Sequence, residues 1–542
     1  MFFKNLMSCS LLFIFFLSCK KETKKNANEQ IDNKKETEVV IENKLFSQVK
    51  PQNSKITFQN KLTEDLDFNY YQYMYSYIGA GIASGDFNND GLEDLFFVSN
   101  SNACKLYKNK GSLVFEDVSL NTNINPQKGF NTGVTTVDIN NDSLLDIYIV
   151  RGGLDSSEGK FENLLYINQG GFKFKEEAKK YGLNDANRGI QATFFDMDND
   201  NDLDVFISNT PDIDGKTKNI VDLNKQQKNP ATQKLLGNDK LYENLGNGKF
   251  KDVSIKAGLH YDIGFGLNPQ VSDLNGDGFL DIYVCNDFKV PDFAYINNGN
   301  GTFTDKRDEL FKHISHNSMG SDIVDINNDG KFDVLTLDMN PEDYLRSKTT
   351  MSMTSIPKFE QMVANNYHHQ YMHNMLQVNN GNSTFSEVSN LSGMANTDWS
   401  WSILAADLDL DGFEDMYVTN GVFRDVIDQD TTQEILKILR KNRRKPTKED
   451  FLQFTKMLPQ QKLKNYFFKN NGNLSFTNTT EDWSDIEPTF SNGAIYVDLD
   501  NDGDLEVVTN NINETATILK NNAVELNKGN FFKAKFCWTK RK

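Results

Sequence analysis

Seven times along the chain, oxygen-bearing side chains recur at the first, third, fifth and ninth places of a nine-residue stretch. The sets are Asp86, Asn88, Asp90 and Asp94; Asp138, Asn140, Asp142 and Asp146; Asp196, Asp198, Asp200 and Asp204; Asp273, Asn275, Asp277 and Asp281; Asp325, Asn327, Asp329 and Asp333; Asp407, Asp409, Asp411 and Asp415; and Asp498, Asp500, Asp502 and Glu506. With a backbone carbonyl at the seventh place, each set supplies about six hard oxygen donors, the coordination that Ca2+ prefers. Calcium is the expected cofactor. An EF-hand would place a bidentate Glu at the twelfth position and then a helix, but the twelfth residues here are Phe97, Ile149, Ile207, Val284, Thr336, Val418 and Thr509. That motif is excluded. Asp, Asn and Gly clusters also make good turns through side-chain-to-backbone bonds. A turn alone has no evident use for an acid four residues further on, and carboxylates packed this closely repel one another unless a cation neutralises them.

The segments around the acids say what must position them. Each set runs into an apolar stretch rich in β-branched and aromatic residues, such as DLFFVSN at 94–100 or DIYIVRG at 146–152, which predicts a strand. Each is preceded by a run with small residues, such as GAGIASG at 79–85 or NTGVTTV at 131–137. Strands that crowd around an axis must keep their side chains small. A second half-motif, seen in LYKNKGSLVFEDVS at 106–119 and LYENLGNGKFKDVS at 241–254, alternates, turns on Asn and Gly, and alternates again, as a β-hairpin does. One repeat therefore holds four strands, and four-stranded units in radial repetition are the blades of a β-propeller. The expected fold is all-β, a seven-bladed propeller with Asp-rich loops and short helical insertions.

The seventh repeat ends at TILKNNA (517–523) without a fourth strand, while Phe46–Val49 precedes the first repeat in the matching phase. An N-terminal strand that completes the last blade would remove two free sheet edges. Two long stretches lack acid sets and show helical spacing: 340–374, and 421–465 with helix starts near Thr432 and Lys448. Both are expected to protrude from one face of the disc. Residues 210–238 are expected to form a polar loop.

The first eighteen residues have a Lys and then a short apolar core, the pattern of a secretory leader rather than of a mature span. Cys19 follows Phe16-Leu17-Ser18, a segment similar to a bacterial lipoprotein cleavage box, so Cys19 is the expected lipidated N-terminus. Residues 19–44 are charged and almost free of aromatics, a flexible tether. The propeller is expected over 45–523. The remaining cysteines, Cys104, Cys285 and Cys537, make no disulfide framework. A formal charge of −18 argues against nucleic acid as a partner, and seven Ca2+ would offset about 14 of those charges.

With their small-residue lead-ins, the acid sets resemble FG-GAP and VCBS repeats, the blades of integrin α-type propellers. The pairing with the LYxNxG hairpin is similar in particular to the propeller of the cartilage acidic protein family and its bacterial relatives. YHHQYMHNMLQVNNG (367–381) and the segment 396–421 resemble large lipoproteins of the Bacteroidetes type. That resemblance implies a following ASPIC/UnbV domain; residues 524–542 are similar to its opening, which suggests a propeller-only or truncated form. It also implies an outer-membrane lipoprotein on the surface or periplasmic side, held by its lipid alone. Within the sets, Ser143 and Asn201 replace the sixth-place Gly and Glu506 replaces an Asp. Asn tolerates a left-handed backbone better than Ser, so the second loop is expected to be the weakest calcium site.

Two functional classes compete. One is a binding module presenting loops to a protein or glycan ligand, as in adhesion; the alternative is an enzyme acting on polysaccharide from the same scaffold. No nucleophile elbow, zinc signature or His-centred catalytic motif is present in the sequence. His368, His369 and His373 form the one suggestive cluster, with His369 and His373 at the spacing of a helix face, and a structural role is expected for them. Trp399 and Trp401 are expected to pack at the start of an inner strand.

Overall fold

The computed structural model describes residues 44–533 apart from 125–128, 154–161, 212–218, 236 and 351–354. The leader, Cys19, the tether up to residue 43, Cys537 and the segment 534–542 lie outside the described residues.

Seven antiparallel four-stranded sheets follow one another, the first six ordered as the chain runs. The innermost strands are Ile82–Gly85, Phe130–Val137, Gly189–Phe195, Phe265–Ser272, Ser321–Val324, Ser400–Ala406 and Ser491–Val497. Successive inner strands lie side by side, and the seventh returns against the first. The ring is closed. Small residues are needed here: a Cβ at Gly133 would sit 1.9 Å from Gln191 Oε1 and 2.5 Å from the Ile190 carbonyl. One at Gly320 would lie 2.2 Å from the Trp401 carbonyl. Between neighbouring blades lie seven apolar cores, one per interface, built from the alternate residues of facing sheets.

The seventh sheet takes its fourth strand from the N-terminal side of the propeller. Phe46–Gln48 pairs antiparallel with Thr517–Asn521, in the register Phe46 to Asn521 and Gln48 to Leu519. Phe46 is buried and stacks on Phe467 at 4.5 Å between ring centres. The expected ring lock is present.

Each inner strand runs toward its Asp loop, so all seven loops gather on one face. The other face carries the insertions, because both leave the end of a second strand. The first contains the helices Tyr344–Thr350 and Ile356–Val363, the second Gln429–Asn442 and Lys448–Met457. The third helix starts at Asp428 rather than near Thr432, since the Asp428 side chain accepts the Thr431 N–H at 2.8 Å and caps it. The fourth begins where its sequence indicates, behind a capping box of Thr447 and Asp450. The expected loop at 210–238 instead contains a helix, Leu223–Gln227, and a 3-10 turn; Leu223 is buried with Met362 and Tyr367 of the first insertion. No helix among the described residues is long and apolar enough to cross a membrane.

A segment that periodicity did not single out covers the axis on the insertion face. Leu62, Tyr73, Tyr75 and Tyr77 pack against Phe130, Ile190, Phe265, Met319, Trp399 and Phe490. These partners come from the starts of six blades. The segment is a plug, with Tyr75 donating to Asp287 Oδ2 at 2.8 Å and Tyr77 to Glu64 Oε1 at 2.6 Å. Trp399 is buried within it and stacks on Trp401, as packing residues should.

Candidate metal centres

The Asp loops share one construction. In the first six loops the first-place carboxylate accepts the N–H of the fifth residue, at 2.9 Å for Asp86 and Asp90 and 3.0 Å for Asp138 and Asp142. The fifth-place carboxylate accepts the N–H of the seventh in all seven copies, as Asp277 does from Phe279 at 2.9 Å. The sixth residue is left-handed throughout. Ser143 at φ 70° and Asn201 at φ 71° adopt it as Gly91 does at φ 86°.

The ninth-place acid has a role that no local pattern in the sequence reveals. Asp94 Oδ1 accepts the N–H of Asn109 at 2.8 Å while its Oδ2 accepts that of Phe87 at 3.3 Å. Asp281 does the same with Asn297 and Leu274, at 2.7 and 2.9 Å. The acid thus clamps its loop to the third strand, so its presence does not by itself require a metal. Burial pushes these groups up, helped by neighbouring carboxylates of the same loop: Asp94, Asp146, Asp204 and Asp281 to about 7, Asp333 to about 6, Asp415 to about 8 and Glu506 to about 9.

The Asn of the LYxN motif completes the unit. Asn297 Nδ2 donates to the Leu280 carbonyl of its own loop at 3.1 Å and to the Met197 carbonyl of the preceding loop at 2.7 Å. Equivalent inter-blade bonds run from Asn109 to Leu499, Asn168 to Phe87, Asn379 to Leu274, Asn470 to Ile326 and Asn521 to Leu408. Asn244 reaches only the Leu203 carbonyl among the described residues. The hairpin motif is therefore also a staple between successive loops, a role hidden from a local reading because its partner lies in another repeat.

The donor sets differ in what remains unpaired. In the first, second and fourth loops the third-place Asn donates to the fifth-place Asp, at 2.9 to 3.0 Å. In the third, sixth and seventh that place is an acid, and oxygens of Asp196, Asp198 and Asp204, of Asp407, Asp409 and Asp415, and of Asp498, Asp500 and Glu506 lie within 4.8 Å of one another in each set. Among the described residues, one buried oxygen of each of Asp409, Asp415, Asp498 and Asp500 finds no hydrogen-bond donor. All-oxygen and close together, these clusters fit a hard cation, and the sixth and seventh also hold the unpaired oxygens. Several of the Asp-rich clusters could therefore hold a metal ion.

The histidines are arranged differently from the helix-face expectation. His368 has a left-handed backbone and Gln370–Tyr371 is a strand, so no helix forms there. His368 meets Asp308 at 3.2 Å, and His369 packs on Phe359. His373 joins His313 and Glu387 instead.

The axis encloses a cavity of about 250 Å³ lined by all seven inner strands, among them Thr132, Gln191, Asn268, Ser321, Trp401 and Asn492. Among the described residues that line it, none is Asp, Glu, His, Cys, Lys or Arg. Cys104 and Cys285 are free and buried.

A closed ring of seven four-stranded blades with an acidic loop at one end of each is a seven-bladed β-propeller. The FG-GAP-like repeat family matches residues 86–149, 232–284 and 273–336. The chain is similar to cartilage acidic protein 1 of Xenopus tropicalis, 26% identical over 208 residues, which is 38% of this chain and 28% of that protein. It thus spans under a third of that relative's length. Among solved structures, the V. cholerae biofilm matrix protein Bap1 is similar at 13% identity and a TM-score of 0.23, over 68% of this chain and 38% of that one. The Bombyx mori GH32 β-fructofuranosidase BmSUC1 is similar at 11% identity and a TM-score of 0.30, over 82% and 89%. Neither of these two likenesses bears on function.

Proposed function

We propose that the chain is an exported lipoprotein of the bacterial outer membrane, anchored through Cys19, whose propeller is stabilised by Ca2+ in the Asp loops and whose insertion face binds a protein or glycan. The observation that carries the binding role is the apolar surface of the first insertion: Tyr344, Leu345 and Ile356 are 75%, 72% and 75% exposed. These side chains stand on a braced support. Arg346 ties the helix of Tyr344 and Leu345 to Asp398 and Asp425, and Arg424 holds Glu64 of the plug with two bonds, of 2.9 and 2.7 Å. A rigid scaffold that offers exposed aromatic and aliphatic groups suits recognition.

An enzyme acting on polysaccharide is the second reading. Cleavage of a polysaccharide at the axis would need a pair of carboxyl groups, and the described lining of the axial cavity supplies no Asp or Glu. Binding is favoured for that reason. The acidic balance of the chain speaks against nucleic acid.

Probing a glycan and protein array with the purified chain, with and without Ca2+, tests the binding role. A ligand is expected whose affinity falls at least tenfold in a Tyr344→Ser, Ile356→Ser double variant; turnover of a polysaccharide by the wild type, lost on changing another site, would refute it. The anchor is tested separately. Cys19→Ala should release the protein from membranes while Cys9→Ala should not, and an unchanged partition of Cys19→Ala into detergent would refute lipidation there.

A further inference from the structure

At the end of blade five remote from its Asp loop, three side chains from distant parts of the chain converge. His313 follows the short helix Arg307–Leu310 between blades four and five, His373 closes the first insertion, and Glu387 ends the fourth strand of blade five. His313 Nε2 lies 3.4 Å from Glu387 Oε2, and one ring nitrogen of His373 completes a set whose atoms all fall within 4.8 Å of one another. Ligand atoms bound to one tetrahedral Zn2+ at about 2.0 to 2.2 Å are roughly 3.3 to 3.5 Å apart. The His313 to Glu387 spacing already meets that, and His373 needs only a side-chain adjustment.

The groups behind the cluster aim it. Glu387 Oε1 accepts the Ser389 N–H at 2.6 Å and the Leu376 N–H at 3.4 Å, which leaves Oε2 toward His313. His373 Nδ1 lies 2.7 Å from the Asn374 carbonyl and 3.2 Å from Ser389 Oγ. A Tyr371 ring stands edge-on to His313 at 5.2 Å. Backbone contacts of this kind fix imidazole orientation at metal sites.

We propose that His313, His373 and Glu387 form a transition-metal site of the Zn2+ class, separate from the Asp loops, which pins the returning end of the first insertion to blade five. Two imidazoles and one carboxylate suit Zn2+ and are poor partners for Ca2+, which takes oxygen ligands. Beside the site, Ile314–Ser315 pairs in parallel with Gln370–Tyr371. The ion would lock that junction and so hold the insertion face. Three protein ligands leave a fourth position for water or for a group from a ligand.

The test uses the full chain without a polyhistidine tag, stripped of metal, returned to millimolar Ca2+ and titrated with Zn2+ or Co2+. About one equivalent should bind despite the excess Ca2+, and Co2+ should show the visible absorption of a nitrogen-ligated site. His313→Ala and His373→Ala should each weaken binding at least tenfold, while His369→Ala, outside the cluster, should not. Glu387→Gln, which keeps the shape of the side chain, should weaken it as well. Binding that Ca2+ competes away, a Co2+ spectrum without nitrogen ligation, or affinity unchanged in the His313→Ala, His373→Ala double variant would overturn the proposal. A plain His–Glu ion pair would then account for the contact.

Discussion

Lys469 sets its ammonium 2.6 Å from Asp411 Oδ2 and also touches Asp409, so the sixth Asp loop carries a counter-ion of its own. The residue is the variable one of the LYxN motif. Lys520 occupies that place at the seventh loop, 3.2 Å from Asp500, and Lys108 at the first, 2.8 Å from Asp90. The third loop has Glu243 there instead, and this adds to the charge that holds Asp198 up, after burial and its own neighbours. The third loop should therefore depend most on a cation. Asp198→Asn is expected to remove more of the Ca2+-induced rise in melting temperature than the same change at Asp409.

Lys469→Met follows from the same contact in the opposite direction. Without Ca2+ it should lose roughly 0.2 to 1 kcal/mol, the range for a partly exposed ion pair. With Ca2+ the loss should be recovered, because the ion no longer competes with an ammonium. Calcium titration calorimetry of the variant should show one site tightened; a weakened site would mean that Lys469 supports the bound state.

The ninth-place acids set a pH dependence. Their folded values lie between about 6 and about 9, above the roughly 4 of an unfolded carboxyl. Such groups stabilise the fold fully below the unfolded value, and that stability is lost as pH rises through the folded one. In EDTA the melting temperature should therefore receive a falling contribution from about pH 4 to pH 8. A bound cation keeps the acids ionised without cost, so the gap between melts in Ca2+ and in EDTA should widen from pH 5 to pH 8. A gap that narrows over that range would contradict the assignment.

Closure of the ring gives a stability prediction. Deleting residues 20–43 should leave the melt nearly unchanged, whereas extending the deletion through Val49 strips the strand that pairs with Thr517–Asn521 and bares an edge. Phe46→Ala alone should cost about 3 to 5 kcal/mol, as for a buried phenylalanine. Soluble yield and melts of the two truncations decide the matter, and equal behaviour would refute the lock.

Asparagine staples can be tested by comparing blades. Asn297→Ala would leave the Met197 and Leu280 carbonyls without that donor, while Asn244→Ala has no inter-blade bond to lose among the described residues. The first should destabilise by roughly 1 to 3 kcal/mol more than the second. Equal losses would mean that the staple adds nothing between blades.

Much of this architecture is legible in the sequence because repetition multiplies weak signals. One Asp loop is a turn; seven with strands in fixed phase are a propeller, and Phe46–Val49 is recognisable because the repeat lacks a strand at its other end. What stayed hidden depends on contacts between repeats or outside them. The clamp of Asp94 and the reach of Asn109 to Leu499 link residues that no local pattern connects. Tyr73, Tyr75 and Tyr77 have a two-residue spacing but form a plug rather than a strand, because each meets a different blade. His313 gave no signal at all: it lies sixty residues from His373, and only folding unites them.

On this reading a divalent cation is part of the fold. The most direct measurement compares thermal melts of the purified chain in EDTA, in about 1 mM Ca2+ and in about 1 mM Mg2+, the Ca2+ level being typical of weak extracellular sites. Each loop bound at a hundred times its dissociation constant would add about 2.7 kcal/mol. The midpoint should rise by several degrees with Ca2+, rise much less with Mg2+, and depend on concentration. A midpoint identical in EDTA and Ca2+ would contradict that reading, and the Asp loops would then be turns held by their own hydrogen bonds.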